Sequence, residues 1–153
     1  MTVDLRKDAA DVRTMLERRT AQFLSKSPGE TVSGIELGYS YHQGWVVAFF
    51  DTRPQHEIDG EWTAFDERNL LYRPHWQAAA DVMRRGVTFI LPDGRRFDAP
   101  PDIPESDFAG VYGQMLADVL VAADAQGVFA ALPKRQPCQF DVEEFDGAWA
   151  WMK

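Results

Sequence analysis

The chain has 153 residues and a formal net charge of −8, because 24 Asp and Glu residues outnumber 16 Lys and Arg residues. This length suits a single domain, residues 1–153, which would bury about 69% of the surface of its extended chain. A hydrophobic content of 45% argues against intrinsic disorder, and the acidic excess disfavours nucleic acid and anionic membrane surfaces as partners because both attract basic faces.

The N-terminal segment predicts an amphipathic helix. Asp4 can cap its start, and Pro28-Gly29 ends it. The apolar residues recur at spacings of three, four or seven: Leu5, Ala9, Val12, Leu16 and Phe23.

Two strands are predicted next. Apolar and polar residues alternate between Ile35 and Tyr41, which places one face of this strand on a core. His42-Gln43-Gly44 forms a turn, and the following run Trp45–Asp51 is apolar on both faces. We therefore expect this second strand to be central and antiparallel to the first.

The middle of the chain mixes loops with short elements. Residues 52–61 form an exposed polar connection, and residues 62–65 a short strand. Pro74 favours the start of a helix that Gly86 stops after Arg85. Residues 87–98 then predict a hairpin around Pro92-Asp93-Gly94.

The third predicted helix has the clearest pattern, with Ser106 or Asp107 as its cap and Gly127 at its end. Its apolar stripe comprises Phe108, Val111, Tyr112, Met115, Leu116, Val119, Leu120 and Ala123. Residues 128–132 suggest another strand, and the alternation around Trp149 and Trp151 a last strand or a docked tail. The fold class expected is α+β, an antiparallel sheet of about four to six strands with two or three helices packed mainly on one face.

Motifs for nucleotide binding or nucleophilic catalysis are absent from the sequence. Neither GxGxxG, GxxxxGK[ST] nor GxSxG occurs. The lone Cys138 cannot form an internal disulfide, and no secretory signal precedes the first helix, so we expect a cytoplasmic protein. His42, His56 and His75 are widely separated. We therefore assign no catalytic residue, no metal site and no cofactor.

A charged loop is the nearest approach to a metal constellation, and we interpret it as an ordinary solvated loop. Its carboxylates and imidazole suit a hard or borderline cation, but their order does not match an EF-hand. The loop comprises Asp51, Arg53, His56, Glu57, Asp59 and Glu61.

Acidic charge is concentrated near the C-terminus, where the final 56 residues carry a net charge of −7. Carboxylates among aromatic residues are one way to bind a basic protein, because charge speeds encounter and aromatic anchors supply affinity. The candidate partner-binding residues are Asp141, Glu143, Glu144, Asp146, Trp149 and Trp151. The same alternation is also typical of an edge strand with its charges in water and its aromatic residues on the core.

Two other functions stay open. A cleft near the first two strands would make the chain a small-ligand-binding protein or an enzyme; the residues that would line it are Tyr39, Tyr41, Trp45, Asp51, Arg53 and Trp62. Alternatively, the aromatic residues form the interface of a homodimer.

The segments 34–39, 45–52, 61–63 and 73–76 resemble stretches of small uncharacterised bacterial proteins, some of which are similar to immunity proteins of toxin systems. The resemblance implies a cytosolic α+β domain that binds and neutralises a cognate toxin without catalysis. It carries no site residues, so the leading hypothesis is an immunity-type protein for a basic partner.

Overall fold

The structure, a computed structural model, describes residues 1–53 and 69–145. Its helices are α1 (Leu5–Lys26), α2 (Pro74–Asp81) and α3 (Glu105–Ala125). A 3₁₀ turn, Met83–Arg85, follows α2. The strands are β1 (Thr2–Asp4), β2 (Val32–Ser40), β3 (Trp45–Asp51), β4 (Leu71–Tyr72), β5 (Val87–Ile90), β6 (Arg96–Ala99) and β7 (Lys134–Glu144).

The α+β fold class is confirmed, but the strands form two mixed sheets and not one antiparallel sheet. One sheet has the order β1-β5-β6 and the other the order β4-β3-β2-β7. As predicted, β3 lies inside its sheet and is antiparallel to β2. The parallel pairs are β1 with β5 and β2 with β7. Each joins strands separated by a long stretch of chain with at least one helix, which is the connection that parallel pairing requires.

The predicted first helix is confirmed, and its Asp4 carboxylate accepts a hydrogen bond from the Arg6 backbone N–H at 3.1 Å. The second helix begins at Pro74 as predicted but ends at Asp81, before the 3₁₀ turn and Gly86, whose φ is +84°. Within the described ranges, no helix combines the length and apolar composition needed to cross a bilayer.

The predicted cap of the third helix is wrong. α3 begins at Glu105, directly after Pro104, and makes no side-chain cap hydrogen bond. Ser106 and Asp107 therefore lie inside its first turn, where Asp107 and Glu105 are favoured by the positive end of the helix dipole.

The hairpin of β5 and β6 is confirmed, whereas the predicted strand at residues 128–132 is wrong. After Gly127, whose φ is +82°, this segment forms successive turns. Phe129 and Leu132 are buried from these turns, so apolar residues here reach the core without strand pairing. The predicted strand at 62–65, most of the 52–61 connection, and Trp149 and Trp151 lie outside the described residues.

One large core joins the helices to both sheets. It contains Leu16 of α1, Leu116 of α3 and Phe89 of β5, together with the inward residues Leu37 and Ala48 of the four-stranded sheet. The helices α1 and α3 thus share one face of that sheet, as predicted. The opposite face is also buried and holds a smaller cluster of Trp45, Val47 and Phe49, against which Leu70 and Phe145 pack.

Two glycines of α3 predict opposite responses to the same substitution. A Cβ at Gly110 would meet no atom within 4 Å, whereas a Cβ at Gly113 would lie 2.8 Å from the buried Tyr39 hydroxyl. Gly110→Ala should raise the free energy of unfolding by about 1 kcal/mol through helix propensity. Gly113→Ala gains the same propensity but overpacks a buried contact, which costs about 1–3 kcal/mol.

Urea unfolding of the two variants measures this difference. We expect the Gly110→Ala protein to be more stable than the Gly113→Ala protein by about 2 kcal/mol. Equal stability would show that Tyr39 does not press on α3 in solution.

Candidate functional site

The candidate partner-binding residues belong to or follow β7, an edge strand of the four-stranded sheet. β7 pairs along one side with β2, in parallel, and with no other strand among the described residues. Asp141, Glu143 and Glu144 are all exposed. Asp146, Trp149 and Trp151 lie outside the described residues, so the structure places half of the predicted acidic aromatic surface.

Strand alternation divides the β7 side chains between the two faces of the sheet. Val142 is in register with Leu37, and Glu144 with Tyr39, so these residues share the face that carries α3. Asp141 is in register with Glu36, which places Asp141 and Glu143 on the opposite face. The carboxylates of β7 therefore meet at the edge of the sheet and do not form one flat acidic face.

Beyond the end of β7, Phe145 closes the second cluster. Its backbone N–H donates to the Tyr39 carbonyl at 2.7 Å, and its ring lies 6.1 Å from the Trp45 ring. A Cβ at Gly38 would overlap the Phe145 ring, so glycine is required for this close approach. Phe145 is thus a packing residue, in agreement with the edge-strand interpretation of this segment.

An apolar depression separates β7 from α3, and we call it the edge groove. It has a volume of about 370 Å³ and is lined by Tyr39, Val121, Phe140 and Val142. Phe140 is 38% exposed and Val121 is 68% exposed, although both are large apolar side chains. The edge groove therefore presents apolar surface to solvent at the sheet edge, where Asp141 of β7 also lines it.

A buried carboxyl group lies on β2, the strand next to β7. Glu36 of β2 is only 4% exposed, and its Oε1 has no hydrogen-bond partner within the part of the chain that the structure describes. The pKa of Glu36 is raised to about 8, mainly by burial and further by the hydrogen bond with Glu143 and the negative charges of Glu143, Asp141 and Asp51. Protonated Glu36 can donate to the Glu143 carboxylate, which adds a side-chain contact to the backbone pairing of β2 with β7.

Sequence reasoning missed Glu36, although a signal was present. The alternation of β2 places Glu36 on the face opposite Leu37, where a solvent-facing residue was expected. Glu36 pairs with Phe49, and the run Trp45–Phe50 is apolar on both faces. The residues that cover the second face of β3 also lie against the residue paired with Phe49, which favours a buried Glu36.

The tyrosines of the alternative cleft are occupied in holding α3. The Tyr39 hydroxyl donates to the Ala109 carbonyl at 3.0 Å, and the Tyr41 hydroxyl donates to Glu105 Oε1 at 2.7 Å. Both rings belong to the large core, whereas Trp45 belongs to the cluster on the other face. The structure thus separates these aromatic residues across the sheet and does not bring them to one cleft.

Asp51 and Arg53, the charged residues predicted for that cleft, form an ion pair with each other. Arg53 donates from its backbone N–H and its guanidinium to Asp51, with Nη2 2.9 Å from Oδ2. The hydrogen bonds from the Arg53 side chain lower the pKa of Asp51. Trp62, the last residue of this set, lies outside the described residues, as do His56, Glu57, Asp59 and Glu61 of the charged loop.

His42 and Glu105 form a hydrogen-bonded pair beside a polar pocket of about 480 Å³ at the start of α3. His42 Nε2 lies 2.6 Å from Glu105 Oε1, and the hydrogen bonds from Tyr41 and from His42 lower the pKa of Glu105. The pocket is also lined by Arg84 and by the carboxylates of Asp81 and Asp102. With three carboxylates around one guanidinium, it does not favour an anionic substrate.

The one cysteine of the sequence, Cys138, lies on β7. Burial raises the pKa of Cys138, and this effect exceeds the opposing influence of Lys134. The structure thus agrees with an inert packing cysteine. Across residues 1–53 and 69–145, no three His, Cys, Asp or Glu side chains are arranged to hold a metal ion.

Comparison with known proteins adds no assignment. No protein-family model matches the chain, and neither the curated proteins nor the solved structures contain a match.

Proposed function

We propose that this chain is a non-enzymatic binding protein that recognises a basic protein partner along β7 and the edge groove. The observation that carries the proposal is the exposure of Phe140 and Val121 together in a groove that Asp141 also lines, with the exposed Glu144 farther along the same strand. Apolar anchors surrounded by a polar rim are the usual anatomy of a protein-binding patch.

The charge of the neighbouring helix supports a basic partner. α3 carries Glu105, Asp107, Asp118 and Asp124 and contains no Lys or Arg. The carboxylate that lines the edge groove itself is Asp141 of β7, and the neighbouring helix adds only negative charges to the field around it. A basic surface would be attracted over a long range and oriented before contact.

Protection against aggregation is a competing explanation for the charges of β7. Edge strands often carry charged residues that prevent pairing with another chain. That explanation accounts for Asp141 and Glu143 but not for Phe140 and Val121, since an edge protected only against aggregation gains nothing from exposing large apolar side chains. The exposed apolar pair therefore favours recognition.

Neutralisation of a toxin is the finer form of this proposal. It is supported by the acidic surface, by the absence of catalytic motifs and by the resemblance of segments 34–39, 45–52, 61–63 and 73–76 to small bacterial proteins, some of which are similar to immunity proteins. The alternative, a small-ligand protein with a cleft near β2 and β3, has less support because Tyr39, Tyr41 and Trp45 do not converge.

Partner capture with matched charge-reversal variants tests the proposal. Immobilised wild-type protein and an Asp141→Lys/Glu144→Lys variant are exposed to a lysate of the native source at low salt, and captured proteins are identified and purified. We expect a basic partner whose Kd rises at least tenfold, about 1.4 kcal/mol, in the variant and rises further with salt.

The control makes the same change in net charge elsewhere. Glu30→Lys/Asp81→Lys reverses two exposed carboxylates outside β7 and α3. An equal loss of affinity in this control would mean that net charge, and not the edge groove, attracts the partner. Failure to capture any basic protein that responds to the β7 substitutions would refute the proposed function.

A further inference from the structure

A second apolar groove lies between α3 and the hairpin of β5 and β6, and we call it the hairpin groove. Its volume is about 680 Å³. Its apolar lining includes Leu91, Pro92 and Phe97 from the hairpin and Val111, Met115 and Val119 from α3. Of the residues that line the two grooves, only Gln114 is shared.

The hairpin groove exists because part of the core-facing side of the three-stranded sheet is left uncovered. Phe97 is in register with Phe89, and their rings stack at 6.3 Å. Phe89 is fully buried against Phe108 and Tyr112 of α3, whereas Phe97 is 37% exposed. An aromatic ring on the core side of a sheet is thus partly in solvent.

Small residues on α3 keep this space open. Gly110 lines the groove, and a Cβ at this position would meet no atom within 4 Å. Ala122 lines its other end. The lining residues of α3 from Asp107 to Ala122 extend over about 22 Å, which matches about four turns of a second helix.

Charges at the rim define the kind of occupant. Asp107 and Asp118 line the groove from α3, and Asp93 lines it from the hairpin. The one cation of the lining, Arg95, forms an ion pair with Asp93. The rim therefore keeps an excess of two carboxylates. A second copy of this chain would bring two acidic rims together, whereas Lys and Arg side chains would be attracted.

We propose that the hairpin groove binds an amphipathic helix of a partner protein whose apolar face is flanked by Lys or Arg. Apolar side chains at positions i, i+3 or i+4 and i+7 would pack on Phe97, Val111 and Leu91, and the basic side chains would pair with Asp107 and Asp118. This site goes beyond the proposed function, because it does not depend on β7 or the edge groove.

Designed peptides test the inference on the full-length protein. The probe is a fluorescent helix of about 18 residues, which spans the groove of about 22 Å with about one turn to spare, with Leu at the i, i+3, i+4 and i+7 positions and Lys elsewhere. One control peptide replaces Lys by Glu, and the other replaces Leu by Ser. At about 150 mM salt, we expect the Leu/Lys peptide to bind at least tenfold more tightly than either control.

Two variants locate the binding. Gly110→Leu fills the groove from a position with open space, and Asp107→Lys/Asp118→Lys reverses the rim charge at exposed positions. Each variant should bind the Leu/Lys peptide at least tenfold more weakly than the wild type does. In the wild-type protein, binding of this peptide should change the amide chemical shifts of residues 93–97 and 107–122. The Asp141→Lys/Glu144→Lys variant should bind as the wild type does. The charge-reversed variant remains decisive if Gly110→Leu alters the fold.

Several outcomes overturn the inference. Unchanged affinity in the charge-reversed variant, or equal binding of the Ser-containing control, would show that the groove is not the site. Shift changes centred on β7 would assign the peptide to the edge groove and support only the proposed function. A dimer in light scattering that Gly110→Leu dissociates would identify a second copy of this chain as the occupant.

Discussion

Raising the pH from 4.5 to 8 should destabilise this protein through Glu36. The carboxyl group is buried on β2, close to Glu143 of the neighbouring strand β7, and burial is the main reason why its pKa rises from 4.5 to about 8. An unfolded chain releases this proton near pH 4.5, whereas the folded chain retains it up to about pH 8. The folded state therefore binds more protons throughout this interval, and the free energy of unfolding falls as the pH rises.

The expected effect is large for one side chain. A pKa difference of this size corresponds to at most about 5 kcal/mol between the two ends of the interval, with full stability below pH 4.5 and the full loss above pH 8. Asp51, Asp141 and Glu143 contribute to the penalty because each repels an ionised Glu36. Arg53 is engaged in an ion pair with Asp51.

Glu36→Gln isolates this contribution. The amide keeps the shape and the donor of the protonated acid but does not ionise, so the variant should exceed the wild type in stability at pH 8 and lose the pH dependence attributed to position 36. Urea unfolding at several pH values compares the two proteins, with Glu30→Gln as the exposed control. Parallel profiles for wild type and Glu36→Gln would show that Glu36 is not protonated at neutral pH in the folded protein.

Elements with local patterns are predicted well from this sequence. The helical spacing of apolar residues locates α1 and α3, and the turn at Pro92-Asp93-Gly94 locates the hairpin of β5 and β6. These patterns depend on contacts between residues close in sequence, where periodicity and turn chemistry act directly. For the same reason, the antiparallel pairing of β2 with β3 follows from a short turn.

Local sequence patterns do not predict which distant strands pair with each other. β7 joins β2 in parallel after about 90 intervening residues, and β1 joins β5 after about 80. Register there depends on the whole core and not on the strand's own alternation. The same limit applies to the candidate site. The sequence shows that an aromatic residue, Phe140, and an acidic residue, Asp141, are adjacent, but their position beside Val121 of α3 follows only from the placement of β7 at the sheet edge.

Replacing Asp8 by Ala should cause the largest loss of stability among the substitutions considered. Asp8 of α1 is 1% exposed and accepts hydrogen bonds from Trp76 Nε1 at 2.9 Å and from Arg73 Nη1 at 3.3 Å, while His75 Nε2 lies 2.8 Å away. Its carboxylate therefore holds the start of α2 against α1. Removing it leaves the Trp76 N–H buried without an acceptor, takes a carboxylate partner from His75, and leaves Arg73 with the more exposed Asp11.

Breaking a buried, hydrogen-bonded ion pair in this way costs about 3–5 kcal/mol. Asp8 also lies on the apolar stripe of α1, three residues after Leu5 and four before Val12, which is the signal by which the sequence could have identified it. The effect should extend to α3, because the Trp76 ring lies 4.5 Å from the Tyr112 ring. Asp8 thus supports the helix that forms one wall of both grooves.

Asp11→Ala is the matched control for this prediction. Asp11 lies on the same helix and pairs with the same Arg73 guanidinium, but its side chain is 29% exposed. Its removal should cost about 1 kcal/mol or less, as for other solvent-accessible ion pairs. Urea unfolding at constant pH measures both variants. If Asp8→Ala and Asp11→Ala destabilise the protein equally, the Trp76 and His75 contacts add nothing, and α2 must be held against α1 by apolar packing alone.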